Sequence, residues 1–86
     1  MGIYNKQIVT ADEQVVERLR NEVNKLWLKD NIQGKVIVVG LYGWQVIQSY
    51  SGPNELDQSE VLRPRFRGLL VRIDWRQQLP FKIINE

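Results

Sequence analysis

The sequence predicts an α+β domain in which one N-terminal amphipathic helix packs on a bent antiparallel sheet of four to five strands, curved enough to curl into a small barrel. Three observations lead there. Apolar residues recur at spacings of three and four between Val15 and Trp27, which makes one stripe on a helix. Within the run Gly34–Leu41, Val36–Val39 are β-branched at successive positions and Leu41 follows Gly40, so both faces of an extended segment want cover, as in a central strand. Two more β-rich runs, Gly68–Trp75 and Leu79–Ile84, are each bounded by turn residues.

Residues 1–9 form a lead-in arm with a short extended candidate, Gln7-Ile8-Val9. Thr10 and Glu13 have the spacing of a capping box, so a helix is expected over 10–29. Its stripe is Val15, Val16, Leu19, Val23, Leu26 and Trp27, while Glu17, Arg18, Arg20, Glu22, Lys25 and Lys29 form a solvated outer face. Asp30-Asn31-Ile32-Gln33-Gly34 carries helix-stop chemistry, and the β region runs from residue 35 to 86. In its first strand Val36 and Val38 face one way, and Ile37, Val39 and Leu41 the other. Gly43, between Tyr42 and Trp44, reads as a tight turn or bulge into a second antiparallel strand, with Trp44 and Val46 alternating against Gln45 and Ile47. SGPNELDQSE, residues 51–60, is an acidic surface loop. In the strand after Gly68, Leu69, Val71 and Ile73 face the core, with Leu70, Arg72 and Asp74 opposite. Arg76-Gln77-Gln78 turns the chain, and Pro80 places the last strand at an edge.

A chain of 86 residues is a single domain, 1–86, that buries only about 60–65% of its unfolded surface. Its 43% hydrophobic and 26% charged residues are globular values that exclude wholesale disorder. Cysteine and histidine are both absent, which removes disulfides, thiolate chemistry, the usual zinc ligands and the usual general base. No apolar run is long enough to span a membrane and no signal-peptide pattern opens the chain, so a cytoplasmic setting is expected. The net charge of +2 hides an asymmetry: residues 51–60 hold three acids and no base, whereas residues 61–86 hold six bases and two acids.

Arg63-Pro64-Arg65-Phe66-Arg67 sets three arginines at alternating positions around an aromatic ring. In extended chain they would present a row of forked donors on one side, suited to phosphates or carboxylates. Arg72 and Arg76 continue the basic strand, and Phe66, Trp75 and Tyr50 supply the rings that stack single-stranded DNA or RNA bases. The competing reading is that the row neutralises Glu55, Asp57 and Glu60 or keeps an exposed strand soluble. Trp27 and Phe81 read as core. Trp44 and Trp75, at strand ends, are interface candidates. The carboxylates show no metal-loop spacing, and Gly40-x-x-Gly43 is too short and apolar for a phosphate cradle. The sequence thus offers no catalytic residue, no metal ligand and no cofactor site.

Gly68-x-Leu70-x-x-x-Asp74, preceded by the alternating Val36–Leu41 strand and an N-terminal helix, resembles the first Sm-fold motif and is similar to the small Sm-like barrels of YolD-like proteins. The resemblance covers about half of the chain and implies an Sm/SH3-like barrel. Trp75 and Arg76-Gln77-Gln78 replace the Met-Asn of the Sm RNA-binding loop, the second Sm motif is absent and the acidic loop is an insertion, so only the fold carries over. The expected function is a small non-enzymatic binding module for protein–protein interaction or homo-oligomerisation. The alternative is nucleic-acid binding through the basic strand from Arg63 to Arg76; no membrane partner is expected.

Overall fold

The computed structural model describes residues 10–86, so the Gln7-Ile8-Val9 arm lies outside the described residues. Helix α1 spans Ala11–Leu28. Its capping box is formed: Thr10 Oγ1 accepts from the Glu13 N–H at 3.1 Å, and Glu13 Oε1 accepts from the Thr10 N–H at 3.3 Å. Val15, Val16, Leu19 and Val23 are buried, as the three-four spacing requires. Positive φ at Asp30 and Gly34 turns the chain into strand β1, Lys35–Val39.

Residues 41–50 depart from expectation. They form a helix, α2 (Leu41–Tyr50), where alternation suggested a second antiparallel strand. The buried side of α2 is Gly43, Val46 and Ile47, a three-four spacing that the period-two pattern of Trp44 to Ile47 overlaps. After α2 come β2 (Leu56–Asp57), β3 (Arg65–Phe66), β4 (Leu69–Ile73) and β5 (Phe81–Asn85). The five strands form one sheet in the order β2-β3-β4-β1-β5, so β4 is in the middle, β1 is an interior strand flanked by β4 and β5, and β5, which follows Pro80, is an edge. β1 runs parallel to β4, with Ile37 opposite Val71, and antiparallel to β5, with Ile37 opposite Ile83.

The sheet is therefore mixed, where an all-antiparallel one was expected. A helical crossover between β1 and β4 is what permits their parallel pairing. Among the described residues the sheet also stays open: β2 and β5 are its edge strands, and no barrel closes. Ile37 and Val39 of β1, Phe66 of β3 and Leu69 and Val71 of β4 join Val15, Val16, Leu19, Val23, Val46 and Ile47 in one core, with both helices on one face of the sheet. On the other face Val36 lies between Leu70 and Ile84, and Val38 between Arg72 and Lys82. Both valines are nonetheless buried. The long aliphatic stems of their cross-strand neighbours account for that cover.

Candidate functional site

The parallel pair β1 and β4 ends at one margin of the sheet, where β5 begins. Gly40–Tyr42, Asp74–Pro80 and the first turn of α2 all converge there. In open α/β sheets the carboxyl ends of parallel strands are a common ligand crevice. Here the crevice is filled by the protein's own chain. The Asp74 N–H donates to the Val39 carbonyl at 2.9 Å, and the Gln77 N–H to the Asp74 carbonyl at 3.0 Å. A Cβ on Gly40 would collide with the Gln77 carbonyl oxygen, and one on Gly43 with the Pro80 carbonyl. The two glycines thus let the β4–β5 connection lie directly on the start of α2.

That connection turns apolar side chains outward. Trp75 is 78% exposed and Leu79 60%, beside Leu41 at 48% and Tyr42 at 47%, so four large apolar residues share this margin with the exposed Arg76. Single exposed apolar residues are ordinary, but a group of them holding Trp, Tyr and Arg has the composition of an interface core. The Tyr42 hydroxyl donates to Asp12 on α1, and the Asp74 carboxylate accepts from the Arg76 N–H at 3.0 Å, which orders the turn around Trp75. The same backbone bond, together with the Arg76 guanidinium, lowers the Asp74 pKa.

The other expected site residues are dispersed. Phe66 is fully buried in the core and presents no ring for stacking. Trp44 is half-buried against that core, and Tyr50 lies at the far end of α2, half-exposed. The arginine row does not share a side. Arg63 is exposed, Arg65 bonds the Gly68 carbonyl at 3.2 Å, and Arg67 turns inward. Arg72 forms an ion pair with Glu86.

Arg67 and Gly68 are the two central residues of the β3–β4 hairpin, with φ of 49° and 91°. Two positive values are the signature of a type I′ turn, which matches the twist of the strands but strains a non-glycine residue. Four contacts fix Arg67 there. Its N–H donates to the Glu55 carbonyl at 2.7 Å, its carbonyl accepts from the Trp27 indole at 3.1 Å, and its guanidinium reaches Glu55 at 2.7 Å and Asn24 at 2.9 Å. Trp27, expected in the core, instead lies half-exposed against Gly68. Glu55 also accepts from Arg20 at 2.5 and 2.7 Å and from the Gly52 N–H at 2.7 Å. The Arg20 bonds, aided by Gly52 and Arg67 and opposed by partial burial, lower the Glu55 pKa to about 2. This cluster ties α1, the acidic loop and the hairpin together, and its groups satisfy one another.

Among the described residues no helix is long and apolar enough to cross a membrane, and no group of His, Cys, Asp and Glu could hold a metal ion. Leu41 and Leu79 are surface residues that sequence reasoning missed, because strand alternation assigned them to a sheet rather than to its margin; Tyr42, expected beside a tight turn at Gly43, joins them there. No protein-family model, curated protein or solved structure matches the chain.

Proposed function

We propose that this domain is a non-enzymatic protein-interaction module whose contact surface is the sheet margin formed by Trp75, Leu79, Leu41, Tyr42 and Arg76. One observation supports the reading: four large apolar side chains gather in solvent at a margin whose crevice is already occupied by the chain itself. Water contact at such a group is unfavourable, and a protein partner relieves it at about 25 cal/mol for each Å² of apolar surface covered. The partner is another protein or a second copy of this chain. The nucleic-acid alternative draws less support, since the ring within the arginine row is in the core and Arg67 and Arg72 already hold carboxylates.

The test is site-specific photo-crosslinking from a benzophenone side chain at Gln78, which is exposed between Trp75 and Leu79. Protein adducts of discrete mass are expected, and the double variant Trp75→Glu, Leu79→Glu should cut their yield at least about tenfold, as loss of an aromatic anchor does. Equal adduct yields from the wild type and the double variant would contradict the assignment.

A further inference from the structure

The sheet has an edge inside it as well as at its two ends. On the β3 side of β4, Leu69 pairs with Phe66, and the Val71 N–H donates to the Pro64 carbonyl at 2.9 Å. Pro64 has no N–H to return to the Val71 carbonyl, so β3 stops there. The bond from the Asp74 N–H to the Val39 carbonyl fixes which residues of β4 address β1. By the two-residue period these are Leu70, Arg72 and Asp74. The Val71 carbonyl and both backbone groups of Ile73 therefore point the other way, beyond the end of β3, and no described backbone group meets them. Beside them lies a recess of about 470 Å³, walled by Trp44 of α2 and by Val61, Leu62 and Pro64. Val61 and Leu62 are almost fully exposed, and the neighbouring Arg63 has no ion-pair partner among the described residues.

We infer that this open half of β4 receives an extended segment of a partner protein, added as a strand opposite Val71–Ile73. The inference rests on the protein-interaction reading and names the form of the partner. Three backbone groups at strand spacing are a template for another strand, and such pairing is a recurrent mode of peptide capture. The recess sets the side chains: alternate apolar residues of the segment lie against Trp44 and Leu62, and an acidic residue meets Arg63. A second copy of the chain is a poorer occupant: the strand it could offer, β2 or β5, belongs to a folded sheet that would have to enter beside the Val61, Leu62 and Pro64 wall of the recess, whereas a single extended chain enters alone. Val71–Ile73 leads directly to Trp75, so one segment can lie in the recess and continue onto the exposed margin.

The probe is a capped hexapeptide of alternating valine and glutamate, titrated into the full chain while amide hydrogen exchange is followed by NMR. At saturation the Ile73 amide is expected to exchange about tenfold more slowly, because its N–H gains an acceptor. The same peptide N-methylated at the alternate residues that face β4 should give less than about twofold protection, since it cannot pair. Ile73→Pro removes the edge donor without touching the bonds to β1 and should weaken the peptide at least about fivefold; the methylated peptide decides the matter if that variant does not fold. No protection of Ile73 at millimolar peptide, or equal protection by both peptides, overturns the inference. Protection of Ile73 that grows with the concentration of the chain alone assigns the edge to a second copy and overturns it too. Adducts at Gln78 without Ile73 protection would sink this inference while leaving the margin as an interface. Ile73 protection with Gln78 adducts unaffected by Trp75→Glu, Leu79→Glu would do the reverse.

Discussion

Glu55 concentrates much of what positions this domain's surface in one carboxylate. It holds Arg20 from α1, Arg67 from the hairpin turn and the Gly52 N–H from its own loop, so three segments distant in sequence share one acceptor. The charge asymmetry between residues 51–60 and 61–86 made pairing between the acidic loop and the arginine row legible. Which members pair was not, because the choice depends on the type I′ turn that swings Arg67 inward, and on Arg20, which helical periodicity placed among solvated charges. Asp57, in the same loop, stays out of the cluster and accepts from the nearby Ser59 N–H at 2.9 Å instead. Glu55→Gln should lower stability by about 2 kcal/mol, since two partly buried guanidinium groups lose their counter-charge. A urea midpoint within error of wild type would remove the cluster from the account. The pH dependence has a fixed sign. A carboxylate whose folded-state pKa is lowered to about 2 stabilises the fold above its unfolded value near 4.5, and that contribution is lost as pH falls from about 4.5 to 2. Glu55→Gln should flatten the acid limb of the stability curve over that window.

Helix α2 is where local pattern and global fold part. Its ten residues LYGWQVIQSY are rich in aromatic and β-branched types, which favour strands. Context reverses the preference: a helix here buries Val46 and Ile47 against α1 and β1, and its crossover brings β4 parallel to β1. The sequence signal that could have revealed it is the three-four spacing of Gly43, Val46, Ile47 and Tyr50. By contrast α1 carried a capping box, an unbroken stripe and charges ordered along its axis, and these agree with one another, so its limits were legible to within two residues. β1 was legible for a related reason, since only a strand flanked on both sides and covered on both faces tolerates four consecutive buried aliphatic residues. Gly43 is the residue that α2 depends on most. Gly43→Ala would favour an isolated helix by up to about 1 kcal/mol, yet it drives a methyl group into the Pro80 carbonyl. The clash should dominate, with a net loss of about 3 kcal/mol or a displaced β4–β5 connection. A Gly43→Ala variant as stable as wild type would show that α2 and the connection do not meet as described.

At the scale of the whole molecule, one margin of the sheet carries the exposed Trp75, Leu79, Leu41 and Tyr42 with Arg76, while the other basic residues of the second half are dispersed: Arg67 and Arg72 hold carboxylates and Arg63 is exposed elsewhere. That division was beyond sequence reasoning, because alternation shows which residues share a side of a strand but not where the strands end or what covers them. Leu28, 87% exposed at the far end of α1, supplies an internal control. The most direct measurement is hydroxyl-radical footprinting of the chain in a nuclease-treated extract of the cells that make it, compared with the purified chain at the same low concentration. The protein-interaction account predicts that oxidation of Trp75 and Leu79 falls at least about fivefold in the extract, as complete burial of an interface core implies, while Leu28 is unchanged. Equal oxidation of Trp75 and Leu79 in the two samples, or protection that appears only when nuclease is omitted, would contradict it.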